Sequence, residues 1–426
     1  MSSPRRLPAS PGEFAWLPAD LRQRVRAILD APMPRGRETL TFRERPDNLD
    51  RAEVDGKRHV VFLAYYPYPN TIKKSIALRR TGEFHTTFLA CCAREDAQCE
   101  RWFDQVYEIG HYRELLDLLP AAAPQALSVH IQPSVLGALA VEALGGGRLI
   151  LDVYDSWHYM SRDQDTPDCR LEREILARAD AVVHKMPDAG WEAIRTTWNL
   201  DTPGVQAHAL PCRDIFAEAP PPDAPPHRLV YAGGVMPFHI AMKLGHENQV
   251  FDPVIEGTAG GGLELTILAN QNARNMFWEE QERYLSMQER LPHFAFRPGL
   301  PFFELPAGIA DFHWGLLYDN VALSSYRPEA FHINMSTKIF SYLEAGLPLL
   351  VYEEFHYIAR LVREHGLGLV YSLKRLDDLP GRLNQADHPA LRENVRRFRE
   401  RFELNRAIPA LRALYQGGDL GRHPGL

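Results

Sequence analysis

Apolar positions change their texture at His59. Before it, one stretch has helical spacing: in "ADLRQRVRAILDA" (19–31), Leu21, Val25, Ile28 and Leu29 share a face. The rest of 1–58 is polar and rich in Pro and Arg, and reads as an extension without chemistry of its own. From His59, short continuous apolar runs alternate with helically spaced segments. "HVVFLAYY", "FHTTFLACC", "FDQVYEI", "ALSVHI", "RLILDVY", "DAVVHKM" and "GVQAHAL" predict strands. "TIKKSIALRRTG", "PSVLGALAVEALGGG" and "CRLEREILARA" predict helices between them. Uninterrupted apolar strands separated by helices indicate a parallel sheet covered on both faces.

The alternation stops at "FAEAPPPDAPPH" (216–227), with five prolines, and then restarts. Proline stiffens a spacer and cannot donate to a sheet ladder, so this is the expected linker. "RLVYAGG", "LELTILAN", "HFAFRPG", "WGLLYD", "LPLLVY" and "GLGLVY" predict six more strands. "RNMFWEEQERYLSMQERL", "LPAGIADF", "STKIFSYLEAG" and "FHYIARLVREH" predict the helices. "PALRENVRRFRERF" and "AIPALRALYQ" close the chain as helices. The expected organisation is an extension (1–58), an α/β domain (59–215), a linker (216–228), a second α/β domain (229–390) and terminal helices (391–426) packing back toward the first domain. Ligands of open α/β sheets sit at the carboxyl ends of strands, so a cleft between the two sheets is expected.

The 426-residue length agrees with two domains, or three at most. A formal net charge of -7 gives no global attraction to nucleic acid. The five cysteines, Cys91, Cys92, Cys99, Cys169 and Cys212, are odd in number and lack metal-ligand spacing. Reduced thiols in a cytoplasmic compartment are expected, with no disulfide frame and no zinc site. "MSSPRRLPASPGEF" has arginines without an apolar core behind them, which is not a signal peptide. No uninterrupted apolar stretch approaches the roughly 20 residues of a membrane span. Peripheral membrane contact stays open.

The stretch "NMSTKIFSYLEAGLPLLV" (334–351) carries candidate chemistry. Ser336 and Thr337 are good N-cap types, and a helix beginning there presents free N–H groups and a positive dipole end. A phosphate is accommodated at such an end. Lys338 in the first turn opposes the dipole, which an intervening anion would explain; an ordinary surface lysine is the alternative. Ile339, Phe340, Leu343 and Leu347 form the apolar stripe, leaving Ser336, Lys338, Ser341 and Tyr342 toward a cleft or solvent. Gly346 ends the helix and Pro348 prevents its continuation.

"STKIFSYLEAGLPLLV" resembles the donor-binding signature of GT-B-fold glycosyltransferases, particularly family-4-like enzymes. "RLVYAGG", "HFAFRPGLPFFELPAGIADFHWGLL", "RLILDVYDS" and "RADAVVHKM" resemble further elements of that family, in order, over about 59–415. The resemblance implies two Rossmann-like domains and a nucleotide-diphospho-sugar donor held by the C-terminal one. It also implies an acceptor held mostly by the N-terminal domain, and transfer with no bound metal and no cofactor beyond the sugar nucleotide. Ser336, Thr337 and Lys338 fall where the diphosphate is contacted, Gly233 and Gly234 at the phosphate-side turn, and Phe296, Gly299 and Leu300 near the nucleobase. The chain departs from the family at the two ribose-side carboxylates. Their positions are Ser341 and Ile333, with Glu344 or Glu329 as unaligned substitutes. The first N-domain loop, "YYPYPNTIKK", also lacks the usual glycines.

Sugar transfer needs a neutralised leaving diphosphate and often a deprotonated acceptor hydroxyl. His130 ends "ALSVH" at the carboxyl end of its strand, where the family often has a histidine; a packed, hydrogen-bonded histidine is the alternative. Asp155 and His158 follow the next strand. The family often has an aspartate there, which could orient a loop, and Asp152 reads as structural. "DQD" (Asp163–Asp165) superficially matches a metal-binding pair of carboxylates, but it lies in a polar loop and reads better as a charge cluster before a helix. Tyr65, Tyr66 and Tyr68 could stack on an acceptor sugar or lipid head, or simply pack. The leading expectation is a glycosyltransferase acting on an unknown glycan, lipid-linked sugar, protein or small molecule. A non-catalytic sugar-nucleotide-binding partner of another transferase and a sugar-nucleotide epimerase are the alternatives.

Overall fold

The computed structural model describes residues 12–31, 42, 44–92, 98–207, 210–219, 227–236, 241–243, 247–269 and 282–418. They form two compact units. One runs to residue 209 and takes up the chain again from Leu404; the other is Leu210–Glu403.

The first unit contains β1 (Glu53–Val54), β2 (Lys57–Ala64), β3 (Phe84–Ala90), β4 (Gln105–Glu108), β5 (Ala126–His130), β6 (Arg148–Val153), β7 (Ala181–His184) and β8 (Gly204–Gln206). The sheet order is β4-β3-β2-β5-β6-β7-β8, all parallel, with β1 antiparallel on β2. All five residues of β5 are buried, as expected of a strand covered on both faces. Helix Pro69–Arg80 starts with proline in its first turn and buries even Lys73 and Lys74. It is covered on its far side by the chain's last helix, Ile408–Gln416. That helix is fixed by the Tyr415 hydroxyl donating to Ser128 Oγ at 3.1 Å and by Arg412 paired with Glu83 at 2.7 Å.

The described part of the N-terminal extension is no appendage. Helix Ala19–Asp30 buries Leu21, Val25 and Leu29, with Ile28 half-buried. Phe14 and Leu17 are also in the core. Glu142, inside the apolar helix Ser134–Ala143, explains why they are held there. Its buried carboxylate accepts from the Gly12 and Phe14 N–H groups at 3.0 and 2.9 Å and from the Trp16 indole at 2.8 Å. A buried carboxylate without such donors would be costly.

The second unit contains β9 (Arg228–Gly233), β10 (Glu264–Ala269), β11 (Phe294–Pro298), β12 (Trp314–Leu317), β13 (Leu349–Tyr352) and β14 (Gly368–Tyr371). The order is β11-β10-β9-β12-β13-β14, again parallel throughout. Both units are therefore Rossmann-like: the first parallel strand of each, β2 and β9, lies inside the sheet and the chain winds outward in both directions from it. The expected helix over 274–291 is described from Glu282 to Arg290; its earlier part lies outside the described residues.

The units divide elsewhere than the expected 216–228 and 391. Residues 216–219 already pack within the second unit, where Ala217 N–H donates to Glu344 O at 2.9 Å, and 220–226 lie outside the described residues. Helix His388–Arg401 also belongs to the second unit, since buried Arg399 donates to the carbonyls of Ala217 and Glu344. Among the described residues no helix is long and apolar enough to cross a membrane.

Candidate functional sites, one in each unit

In doubly wound sheets, ligands bind outside the carboxyl ends of the strands where the winding reverses. In the second unit that point lies between β9 and β12, whose pairing is confined to Leu229–Val230 against Trp314–Gly315. Beyond it the strands separate, and the Tyr342 hydroxyl closes the gap. It accepts from Ala232 N–H at 3.0 Å and donates to Leu316 O at 2.9 Å. Gly315 makes this possible, because a Cβ there would lie 2.3 Å from Tyr342 Cγ. Burial pushes the Tyr342 phenol well above its ordinary pKa, so it stays protonated. The expectation that Ser341 and Tyr342 face a cleft or solvent fails, since both are buried in this bridge region.

Lys338 opens the helix Lys338–Glu344, and its stem crosses the end of β9. A Cβ on Gly233 would fall 2.3 Å from Lys338 Cε, so the glycine is what admits the lysine. Lys338 Nζ lies 5.5 Å from the centre of the Tyr231 ring, whose hydroxyl donates to Gly234 O at 3.0 Å. Gly234 is itself closely approached: a Cβ there would meet Gln249 Oε1 at 2.7 Å. Among the described residues no carboxylate pairs with Lys338. Ser336 is buried, and Thr337 and Lys338 are half-buried. Thr337 precedes the helix in helical conformation, without the side-chain cap expected of it. Gly233, Gly234, Ser336, Thr337 and Lys338 are thus brought to one sheet edge. The aromatic floor, Tyr231, was not foreseen, nor was the Tyr342–Gly315 brace. The glycine inside the strand "WGLL" was its available signal, since such a glycine marks a close approach.

Three other expected residues do not join the group. Glu344 is fully buried at the far end of the helix, where its carboxylate accepts from Cys212 N–H at 2.8 Å. It anchors the entering chain and is not placed to grip a ribose. Phe296 is buried in β11, stacked on Tyr284 with centroids 5.3 Å apart, so it is core and not part of the sheet edge. Glu329 is exposed and near Arg327 at 3.5 Å. Gly299 and Leu300 do follow the carboxyl end of β11, two strands from β9, with Leu300 37% exposed.

In the first unit the winding reverses between β2 and β5. His130 ends β5 in register with Asp152 of β6. It is only 1% exposed, because the Tyr68 ring stacks on it at 4.0 Å with planes 12° apart. Its Nδ1 lies 3.3 Å from Gln132 O, whereas buried Nε2 has no partner among the described residues. Burial lowers the His130 pKa to about 4, against the opposing pull of Asp152, so the ring is neutral at pH 7. Asp155 pairs with Lys185 at 2.7 Å, and Lys185 lies 4.0 Å from the centre of the Tyr154 ring. The Gln132 amide donates to Asp155 O, linking the two candidate residues.

Asp152 is structural, as expected. It is buried beside Lys74 in an ion pair and accepts from Asn70 at 3.2 Å. His158 is packed edge-on against the rings of Tyr159 and Trp198. Asp163 caps its own turn by accepting from Asp165 N–H at 2.9 Å. All five cysteines are free thiols. Of the tyrosines, Tyr65 is buried, whereas Tyr66 and Tyr68 are half-buried at the edge. Glu172, which the sequence did not flag, is fully buried under this edge. It accepts from Ser156 Oγ at 2.6 Å and Trp157 N–H at 2.8 Å, and burial raises its pKa to about 7.

Two doubly wound parallel sheets with these strand orders make the GT-B glycosyltransferase fold. A glycosyltransferase from Rickettsia africae ESF-5 superposes with a TM-score of 0.53 at 10% identity, over 84% of this chain and 98% of that one. The α,α-trehalose 6-phosphate synthase of Burkholderia multivorans gives 0.51 at 10% identity over the same shares. At such identities the likeness is one of fold. The family model described as the glucosyltransferase 3-like, C-terminal domain matches residues 281–405, which include Lys338 and its helix. No curated protein sequence matches the chain.

Proposed function

We propose that this protein is a glycosyltransferase that takes a sugar from a nucleotide-diphospho-sugar held by the second unit and passes it to an acceptor bound by the first. The observation that carries the reading is the Lys338 stem lying across Gly233 at the reversal point of the sheet. A cation with no carboxylate partner among the described residues, beside two close-packed glycines, suits a diphosphate. In transfer, the bond from the anomeric carbon to the diphosphate oxygen breaks and a bond to the acceptor oxygen forms. The diphosphate leaves with the electron pair, and Lys338 stabilises the charge it gains. The acceptor hydroxyl loses its proton. Neutral His130 and the carboxylate of Asp155 are the groups of the first unit proposed to orient that hydroxyl and accept the proton.

Calorimetric titration of Lys338→Ala tests the donor site. A charge-assisted contact contributes roughly 1.5–3 kcal/mol, so nucleoside diphosphate binding is expected to fall by about tenfold or more. Binding of the corresponding nucleoside is expected to hold. Equal loss for both ligands indicates a folding defect, and no loss for either removes the proposal. The second reading, a sugar-nucleotide-binding partner without transfer activity, is favoured by the absence of carboxylates at Ser341 and Ile333. Incubation with a panel of radiolabelled nucleotide sugars, with and without cell extract, separates transfer from binding.

A further inference from the structure

We propose that His332, Glu354 and His356 form a binding site for one divalent transition-metal ion of the zinc class. Each offers one ligand atom, and these atoms all lie within 4.8 Å of one another. His332 Nε2 and Glu354 Oε2 are already 3.6 Å apart. Around a tetrahedral ion with bonds of about 2.0–2.1 Å, ligand atoms stand roughly 3.3 Å from each other. The first pair is therefore near its bound separation.

The third ligand has the freedom to complete the set. The His332 and His356 rings lie nearly parallel with centroids 3.9 Å apart, so their in-plane lone pairs do not yet converge. His356 is exposed and can rotate out of the stack, while His332 and Glu354 are half-buried. Neither imidazole has a hydrogen-bonded protein partner among the described residues, so no bond has to be broken for the rings to turn.

The backbone carrying the three is fixed from both sides. His332 ends the turn of helix Glu329–His332, and its N–H donates to Pro328 O at 3.2 Å. Glu354 lies in the connection from β13, and His356, beyond Phe355, opens helix His356–His365. There Glu353 N–H donates to Tyr371 O at 2.9 Å and Phe355 N–H to Tyr352 O at 3.1 Å. The Phe331 and Phe355 rings pack edge to face with centroids 6.2 Å apart and tie the two segments together. Side chains held on ordered backbone are what a metal site requires.

The donor set selects the class of ion. Two imidazoles and one carboxylate suit Zn²⁺, Co²⁺, Ni²⁺ or Cu²⁺, whereas Mg²⁺ and Ca²⁺ prefer all-oxygen shells. Three protein ligands leave a coordination position for water or an anion. The site follows the carboxyl end of β13, on the same edge of the second sheet as Gly233, with β12 between β13 and β9. It rests on its own residues and stands whether or not the chain transfers sugars.

The competing explanation is an ion pair between protonated His332 and Glu354, with His356 merely stacked. Titration of the full-length, chelator-treated protein with Co²⁺, followed by visible d–d absorption, decides between them. The expected result is one saturable equivalent, displaced by Zn²⁺ and unaffected by excess Mg²⁺. His332→Ala and His356→Gln are each expected to weaken binding by about a hundredfold or more, since even residues behind the ligands contribute ten- to a hundredfold. The far-UV spectrum and melting temperature of exposed-site variant His356→Gln are expected to match wild type, which separates ligand loss from misfolding. Absence of a saturable Co²⁺ signal overturns the proposal. So does a signal that persists unchanged in the His332→Ala/His356→Gln double variant.

Discussion

The two units place different chemistry at equivalent points of the same topology. Where the first sheet reverses, the charges are paired: buried Lys74 with buried Asp152, and Lys185 with half-exposed Asp155, beside neutral His130 beneath Tyr68. Where the second reverses, there are two glycines, an aromatic floor and a lysine with no carboxylate partner among the described residues. Tyr342 spans the opening strands there. One edge pairs its charges and leaves the neutral His130 Nε2 without a partner among the described residues; the other keeps a positive charge available for an anion. A shared backbone plan thus does not imply a shared ligand, because the side chains at the strand ends decide it.

The largest expected effect breaks the covered edge. Lys74→Ala leaves the Asp152 carboxylate buried with only Asn70, and removing one partner of a buried ion pair costs about 3–5 kcal/mol. Urea unfolding should show that loss, with Lys74→Met/Asp152→Leu recovering a large part of it. A loss below about 1 kcal/mol would mean that water reaches the pair. Next comes His130→Ala. If this ring handles the acceptor proton, release of nucleoside diphosphate from a productive sugar nucleotide should slow by about a hundredfold. A change within about twofold would make His130 a packing residue. On the open edge, Gly233→Ala puts a Cβ into the Lys338 stem and is expected to weaken nucleoside diphosphate binding about tenfold. That matches loss of one charge-assisted contact. Its melting temperature should move little if the lysine swings aside.

The smallest effect concerns pH and again separates the units. In the second unit, burial lowers His313 to about 4 and lowers His227 and His388 as well. A lowered histidine binds its proton in the unfolded chain first, so stability is full above about 6.5 and falls as pH drops toward 4. The first unit has the same behaviour from His130 and His184, both at about 4, but Glu172 opposes it. Its folded pKa of about 7 exceeds the ordinary 4.5, so its contribution is full below 4.5 and lost as pH rises through 7. Glu172→Gln should therefore steepen the rise in melting temperature between pH 4.5 and 6.5. An unchanged slope would show that Glu172 is already ionised across that range.

Much of this architecture was legible in the chain. Each expected strand from "HVVFLAYY" to "GLGLVY" corresponds to a strand, because a parallel strand covered on both faces must be apolar along its length. The positions of Gly233 and Lys338 were likewise legible, since each stands beside an element boundary that the pattern marks. Less local features were not. The N-terminal extension looked polar, yet its backbone N–H groups serve Glu142, more than a hundred residues away. Glu344 looked available one turn beyond Ser341, yet it is consumed by Cys212.

What the sequence determined by itself is the succession of elements and the residue types at their ends, for these follow from local sterics and from the period of burial. Only the tertiary structure decided which of those ends meet. Tyr342 reads as one more polar residue on a helix until β9 and β12 diverge and leave Ala232 N–H and Leu316 O to be satisfied. His130 reads as either a base or a packed histidine until Tyr68 is found lying flat on it. Partners distant in sequence leave no periodic trace, and a buried polar group can be assigned a role only once its neighbours from other strands are in place.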